Sequence, residues 1–419
     1  MIKNQNRNPR ILEIGEIVEV DVDLIMVHEQ LGGRIAPEYE KLGIDYVMHP
    51  DRVVFILDHW VPSPTIQAAN MHQRAKNFAK KYKFQNLLGE NKGICHTVLP
   101  EQGFVAPGMV AVGSDSHTTT YGAFNCFSTG VGATDICSVF ATGKLWFKVP
   151  EPVHFIIKDV PFSKGVYAKD LALDFLKKYG EDELLYCALE FSGTGLRNLS
   201  IASRITLANM SVEMGAKNAI FECDHLTKQW LLNNPNFRSK YGNQIRATVP
   251  DVCEEQEKTS IDLSTIQPMI AQPHSPGNVT EVQDCAGMEI DQGFIGSCTN
   301  GSLEDLRIAA KILKGKTIHH NCRCVVIPAS TEIYLQAMRE GLMEIFMQAG
   351  CIVGPSTCGP CFGGHMGLLG DNEICISTSN RNFQGRMGSY LSQVYLASPA
   401  TVAASVIRGR ITSPLDFME

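Results

Sequence analysis

No stretch of this 419-residue chain approaches the roughly 18 consecutive apolar residues of a membrane span, so no membrane-crossing helix is expected. A long basic run is missing as well: 37 Lys and Arg stand against 44 Asp and Glu, a net charge of −7. Gripping nucleic acid by its phosphates needs clustered positive charge, so nucleic acid is not an expected partner. The opening residues, MIKNQNRNPRILEIGE, carry neither an apolar core nor a small-residue cleavage site. They do not read as a secretion signal, and a cytoplasmic location is the expectation. Tandem repeats and low-complexity tracts are absent too. With 44% apolar and 19% charged residues the composition suits a compact enzyme. The length exceeds what one core serves, which implies two or three domains.

Fourteen cysteines are present. In a reducing compartment they stay thiols or bind metal instead of forming a disulfide framework. Cys95, Cys126, Cys137, Cys187, Cys223, Cys253, Cys285, Cys351 and Cys375 stand singly, many in apolar runs, and read as small buried hydrophobes.

One pattern recurs along the chain: a short apolar run breaks abruptly into polar or reactive residues. Val53 to Leu57 ends in Asp58-His59, and Met109 to Gly113 ends in Ser114-Asp115-Ser116-His117. Gly293 to Gly296 ends in Ser297-Cys298, Ile352 to Gly354 runs towards Cys358, and Ile374 to Ser377 towards Asn380-Arg381. Such runs predict strands buried on both faces, as in parallel sheets. Helical spacing spans Ala168 to Tyr179, and Ser302 with Asp305 predicts a capped helix through Leu313. Alternating strands and helices imply layered α/β units, whose ligands bind at the carboxyl ends of strands. Every reactive cluster above falls at such an end. The expected division is 1–150, 151–285 and 286–419, with a soft boundary at Pro150-Glu151-Pro152. Residues 248–292, with Pro268, Pro273 and Pro276, read as an extended connection.

Cys358-Gly-Pro-Cys361 is a C-x-x-C pair, and Cys298 stands sixty positions earlier. The pair could be a redox dithiol or half of a zinc site. Gly363-Gly364 does not favour the helix that a thioredoxin-type dithiol needs. A closed zinc site wants a fourth ligand, and Cys322 and Cys324 sit in a run that looks buried. The third option is a [4Fe–4S] cluster on three thiolates, one iron being left open as a Lewis acid.

Taken together, Gly113-Ser-Asp-Ser-His-Thr118, Gly296-Ser-Cys-Thr-Asn300, Cys358-Gly-Pro-Cys361 and Ser379-Asn-Arg-Asn-Phe-Gln-Gly-Arg386 resemble the aconitase superfamily. The resemblance runs from about residue 15 to residue 414. The whole chain looks like the large subunits of 3-isopropylmalate dehydratase and their dimethylmalate, methylmalate and homoaconitase relatives. The resemblance implies three α/β/α layered domains with mostly parallel sheets around one [4Fe–4S] cluster on Cys298, Cys358 and Cys361. It also implies an acid–base set of Asp58, His59, His96, Asp115, Ser116 and His117. Asn209 and Glu213 match a pair near the iron-bound water, Asn380 a cluster contact, and Arg381 and Arg386 the carboxylate-binding arginines. The independent chemistry agrees: Arg forks grip carboxylates bidentately, and an Asp beside a His fixes its tautomer.

Two departures from the family pattern matter. Gly33 takes the place of a substrate-positioning Gln, which hints at a small methyl-substituted malate. The chain also stops at Glu419, before the swivel domain of single-chain aconitases, so the resemblance implies a separate small subunit that completes the site and supplies a base. The expected reaction is reversible dehydration, with or without isomerisation, of a small hydroxy-dicarboxylate such as 3-isopropylmalate or 2,3-dimethylmalate. Homocitrate and citramalate or maleate chemistry are alternatives within the class. Outside it stand a structural zinc protein and an RNA-binding regulator.

Overall fold

The computed structural model describes residues 12–248 and 258–418. Its strands are β1 (Ile17–Asp21), β2 (Leu24–His28), β3 (Val53–Ile56), β4 (Asn86–Leu88), β5 (Val110–Gly113), β6 (Phe127–Gly130) and β7 (Lys144–Lys148) in the first third. There β4-β3-β2-β5-β6 form a parallel five-stranded sheet, and β1 pairs antiparallel with β7. Next come β8 (Pro152–Ile157), β9 (Ala188–Ser192), β10 (Asn218–Phe221) and β11 (Lys258–Ile261), a parallel sheet in the order β10-β9-β8-β11. Last are β12 (Met269–Ala271), β13 (Val279–Glu281), β14 (Gln292–Ile295), β15 (Arg323–Val326), β16 (Ile352–Val353), β17 (Ile374–Ser377) and β18 (Gln393–Ala397). They build a seven-stranded sheet, parallel except where β12 meets β13 and β18.

The apolar runs are therefore parallel strands, and their burial explains their composition. All four residues of β3, of β5 and of β14 are buried, so neither face needs polar side chains. In the second sheet the core is aromatic. Phe191 stacks on Phe221 with ring centroids 4.5 Å apart, and Phe155 lies 5.3 Å from Phe191 and 4.9 Å from Phe175. Each such pair adds about 0.5–1.5 kcal/mol beyond simple burial. The helix Ala168–Tyr179 forms as its spacing predicts, and Ser302 caps Leu303–Leu313 in a capping box with Asp305.

One expectation needs correction. From residue 258 onward, the passage read as an extended connection contains three short strands: β11 completes the second sheet, and β12 and β13 extend the third. β12 is fixed by Asp170, whose carboxylate accepts the Met269 amide at 2.9 Å. Strands of three or four residues between prolines are too short to show a period. The single cysteines behave as expected: all but the half-buried Cys187 are buried among the described residues, and Cys253 lies outside them. Among the described residues no helix is long and apolar enough to cross a membrane.

Parallel strands end on one side, and this positions the reactive loops. β3 delivers Asp58 and His59, β5 delivers Asp115 to His117, β14 delivers Cys298, β16 leads to Cys358 and Cys361, and β17 delivers Asn380 and Arg381.

Candidate active site

The loop after β3 is organised by Asp58. Its carboxylate accepts the Cys95 amide at 2.8 Å and faces His59 Nδ1 at 2.7 Å. The other ring nitrogen of His59 points at Asp115, 3.6 Å away. Asp115 is shared further: its Oδ1 lies 2.9 Å from His96 Nε2, accepts the His117 amide at 2.8 Å and stands 3.4 Å from His117 Nδ1. Three imidazoles thus converge on one carboxylate. Burial opposes its charge, yet those contacts hold Asp115 well below the usual carboxylate range. For His59 burial again works against the charge, and Asp58, Cys358 and Asp115 overcome it, raising the imidazole pKa. Ser116 sits beside the group, its hydroxyl 3.4 Å from His117 Nδ1.

Asn209 and Glu213 lie at the end of the helix Ile201–Met210 and in the tight turn that follows it. Both are buried, but they aim at different targets. Glu213 takes His117 Nε2 at 2.7 Å and Arg381 Nε at 2.9 Å, and these partners lower its pKa against the effect of burial. Asn209 donates to Cys298 Sγ at 3.2 Å and to Thr120 Oγ1 at 2.9 Å. Asn380 donates to the same sulfur at 3.3 Å and to Asn209 Oδ1 at 3.2 Å, and its own oxygen lies 3.7 Å from Cys361 Sγ.

The three predicted cysteines come together at this point. Cys298 and Cys361 are buried and Cys358 is half-buried. Burial raises the Cys298 thiol pKa, and the neighbouring Cys361 and Cys358 raise it further. Burial likewise pushes Cys358 up to about 12, although His59 pulls the other way. The Cys358 amide and the Thr357 hydroxyl donate to the Asp58 carbonyl at 3.2 and 2.7 Å, which ties the cysteine loop to the acid–base loop. Gly363 closes that loop at φ +72°, where an added Cβ would lie 2.6 Å from the Arg386 carbonyl. Arg386 in turn donates through Nε to the Cys361 carbonyl at 3.1 Å.

This donor set suits a thiolate-held inorganic group. Two amides point N–H groups at one sulfur, which favours its ionised form. A single zinc fits less well, because its thiolate ligands stand only ~3.8 Å apart. The only set of three or more potential ligands drawn within 4.8 Å of one another, among the described residues, is His28, Glu29, Asp58 and His59. At least one separation between the three sulfurs is therefore wider than that. Cys322 and Cys324 are buried at β15 as expected.

Two residues that the sequence reading missed belong to the same assembly. Glu29, fully buried, accepts the backbone amides of Asp58, His59 and Trp60 at 3.0, 2.8 and 2.7 Å, and so fixes the β3 loop. Lys169, also fully buried, donates to the carbonyls of Thr378 and Ser379 just before Asn380. Gly33 lies inside the helix Glu29–Lys41, where a Cβ would meet Met71 at 2.3 Å, so the absent side chain also suits the packing of this helix.

Comparisons with known proteins assign the chain to a family. The family profile described as "Aconitase family (aconitate hydratase)" matches residues 44–287 and 283–409. A "3-isopropylmalate dehydratase large subunit" of Sulfurihydrogenibium sp. (strain YO3AOP1) is 47% identical over 406 residues, covering 96% of this chain and 92% of that protein. Its namesake in Hydrogenobaculum sp. (strain Y04AAS1) is 48% identical over 400 residues, covering 96% and 93%. The "3-isopropylmalate dehydratase large subunit 1" of Methanopyrus kandleri is 43% identical over 408 residues, covering 97% and 96%. With its profile matched over most of its length and full-length relatives well above 40% identity, the chain belongs to the aconitase family.

Proposed function

We propose that this chain is the large, catalytic subunit of a two-part [4Fe–4S] hydro-lyase that reversibly removes water from a substituted malate. The relatives' names make 3-isopropylmalate the first candidate substrate and a small subunit the expected partner. The observation that carries the reading is the position of Cys298, which feels Cys358, Cys361 and Asp115, a carboxylate that three imidazoles share.

Cys298, Cys358 and Cys361 would hold the cluster, which when bound supplies Lewis acidity towards the departing hydroxyl. The chain's own residues do the rest. Asn209 and Asn380 steady the Cys298 sulfur. His59, backed by Asp58 on one nitrogen and Asp115 on the other, delivers a proton to the leaving hydroxyl. Asp115 and Glu213 fix the rings of His96 and His117 around it. Arg381 and Arg386 are each tied through Nε, so their terminal nitrogens grip the substrate carboxylates and stabilise the charge that develops as the C–H proton leaves. The base for that proton comes from the small subunit.

The test is anaerobic co-purification with the small subunit and a panel of substituted malates, scored by the absorbance of the alkene product. Dehydration of 3-isopropylmalate ahead of citramalate and homocitrate is expected. A fully loaded complex that makes alkene from none of them would overturn the reading.

A further inference from the structure

Lys169 lies in the first turn of the helix Ala168–Tyr179 and is 0% exposed. Its ammonium donates to the Ser379 carbonyl at 2.6 Å and the Thr378 carbonyl at 3.0 Å, with the Met210 sulfur at 3.8 Å. No carboxylate is among these contacts. An ammonium out of water without a counter-charge is strongly unfavourable, and burial draws this one down to about 8.

Asp170, next in sequence, supplies only part of the charge, Lys169 being the last of the groups that pull its carboxyl down against burial. Its oxygens accept the amides of Tyr167 at 2.8 Å and Met269 at 2.9 Å, and burial pushes its carboxyl up to about 7. The other acidic groups whose charge reaches Lys169 are Cys361, Asp305, Cys298 and Glu213. Asp305 is raised by burial to about 6 and is engaged in capping Ser302. Glu213 is already shared between His117 and Arg381. Two of the three cluster cysteines remain.

We propose that Lys169 is the buried counter-charge of the Cys298 and Cys361 thiolates and of the anionic cluster they hold. The inference rests on the cofactor reading above. It also explains the choice of anchor: the carbonyls that hold Lys169 directly precede Asn380, the residue whose amide reaches both sulfurs. One cation thereby neutralises the site and ties down the segment that contacts it. Lys169 is a positioning residue, because it acts through the sulfurs and not on substrate.

The experiment compares the full wild-type chain with Lys169→Met, Lys169→Gln and Lys169→Arg, each reconstituted anaerobically with iron and sulfide. Both neutral variants should lose the cluster to a chelator about tenfold faster or more, as outer-shell changes at metal sites commonly do. Their clusters should have reduction potentials shifted to more negative values, since a nearby positive charge favours the reduced form. The gap in Tm between the loaded and cluster-free forms should shrink, and Lys169→Arg should recover part of the retention. Gln can still donate to the two carbonyls. Retention and potential restored by Gln would therefore make Lys169 a tether only and overturn the charge role. Equal Tm losses in the loaded and cluster-free forms, with potential unchanged, would overturn it too. Wild-type protein that takes up neither iron nor sulfide defeats the cofactor reading and this inference together, whereas normal wild-type uptake with unaltered neutral variants defeats this inference alone.

Discussion

The two sides of the site hold their reactive groups by different means. On the side of the first sheet, protein contacts satisfy the charges. Asp58 bonds a backbone amide and an imidazole, Asp115 serves three histidines, and Glu29 gathers three amides. On the side of the third sheet Cys358 and Cys361 are near enough to add to burial in raising the Cys298 pKa, burial raises that of Cys358, and the nearby ammonium is held only by carbonyls and a thioether. The contrast teaches that the acid–base half is ordered by its own hydrogen bonds, while the sulfur half depends on a charge balance that the thiols must complete. The two meet where Thr357 and Cys358 bond the Asp58 carbonyl.

The largest effect should separate the halves completely. Cys358→Ser is expected to abolish cluster uptake and its brown absorbance and to reduce dehydration to background, leaving the hydrogen-bonded acid–base half folded. Iron and sulfide analysis with circular dichroism checks both parts, and full activity in the variant would break the comparison. Asp115→Asn is the reverse experiment. Removing the shared carboxylate should lower kcat by about 10³-fold, within the usual range for acid–base groups, with iron and sulfide content unchanged. Loss of the cluster in that variant would mean that the halves are not independent.

Much of this arrangement is legible in the sequence, because strand ends advertise themselves: an apolar run such as Val110–Gly113 breaking into Asp115 and His117 has no core explanation. The cysteines are legible for the same reason. Glu29 and Lys169 are not. An acid at a helix start and a lysine in a helix's first turn look like ordinary helix-dipole and solvent-facing choices, and only the packed sheets reveal that both are buried. Glu213 is half legible. Its spacing from Asn209 suggests a shared face, whereas the turn after Met210 sends it to His117 and Arg381 instead.

Glu29→Gln sharpens the first half of the comparison. The amide keeps one acceptor oxygen for three amides that now share two, so stability should fall by about 1–3 kcal/mol in denaturant titrations, with kcat reduced and cluster content intact. An unchanged kcat and midpoint would show that the β3 loop holds itself. The smallest effect concerns the seam. Glu101 closes the helix that carries His96 and accepts, at 2.9 Å, the hydroxyl of Ser330, which caps the helix Thr331–Arg339 after β15. Burial, which outweighs that bond, raises its carboxyl from 4.5 to about 7. A raised folded pKa stabilises below the unfolded value and loses that contribution as pH rises through the folded one, here between 4.5 and about 7. Glu101→Gln should therefore flatten the fall of Tm over that window, and an equally steep fall in the variant would remove Glu101 as its source.

The most direct test of the central claim is the iron and acid-labile sulfide content of the full chain after anaerobic reconstitution. About four of each per chain, lost together in Cys298→Ser, Cys358→Ser and Cys361→Ser, is the expected result. Zinc without sulfide, or an unaltered content in the serine variants, would contradict it.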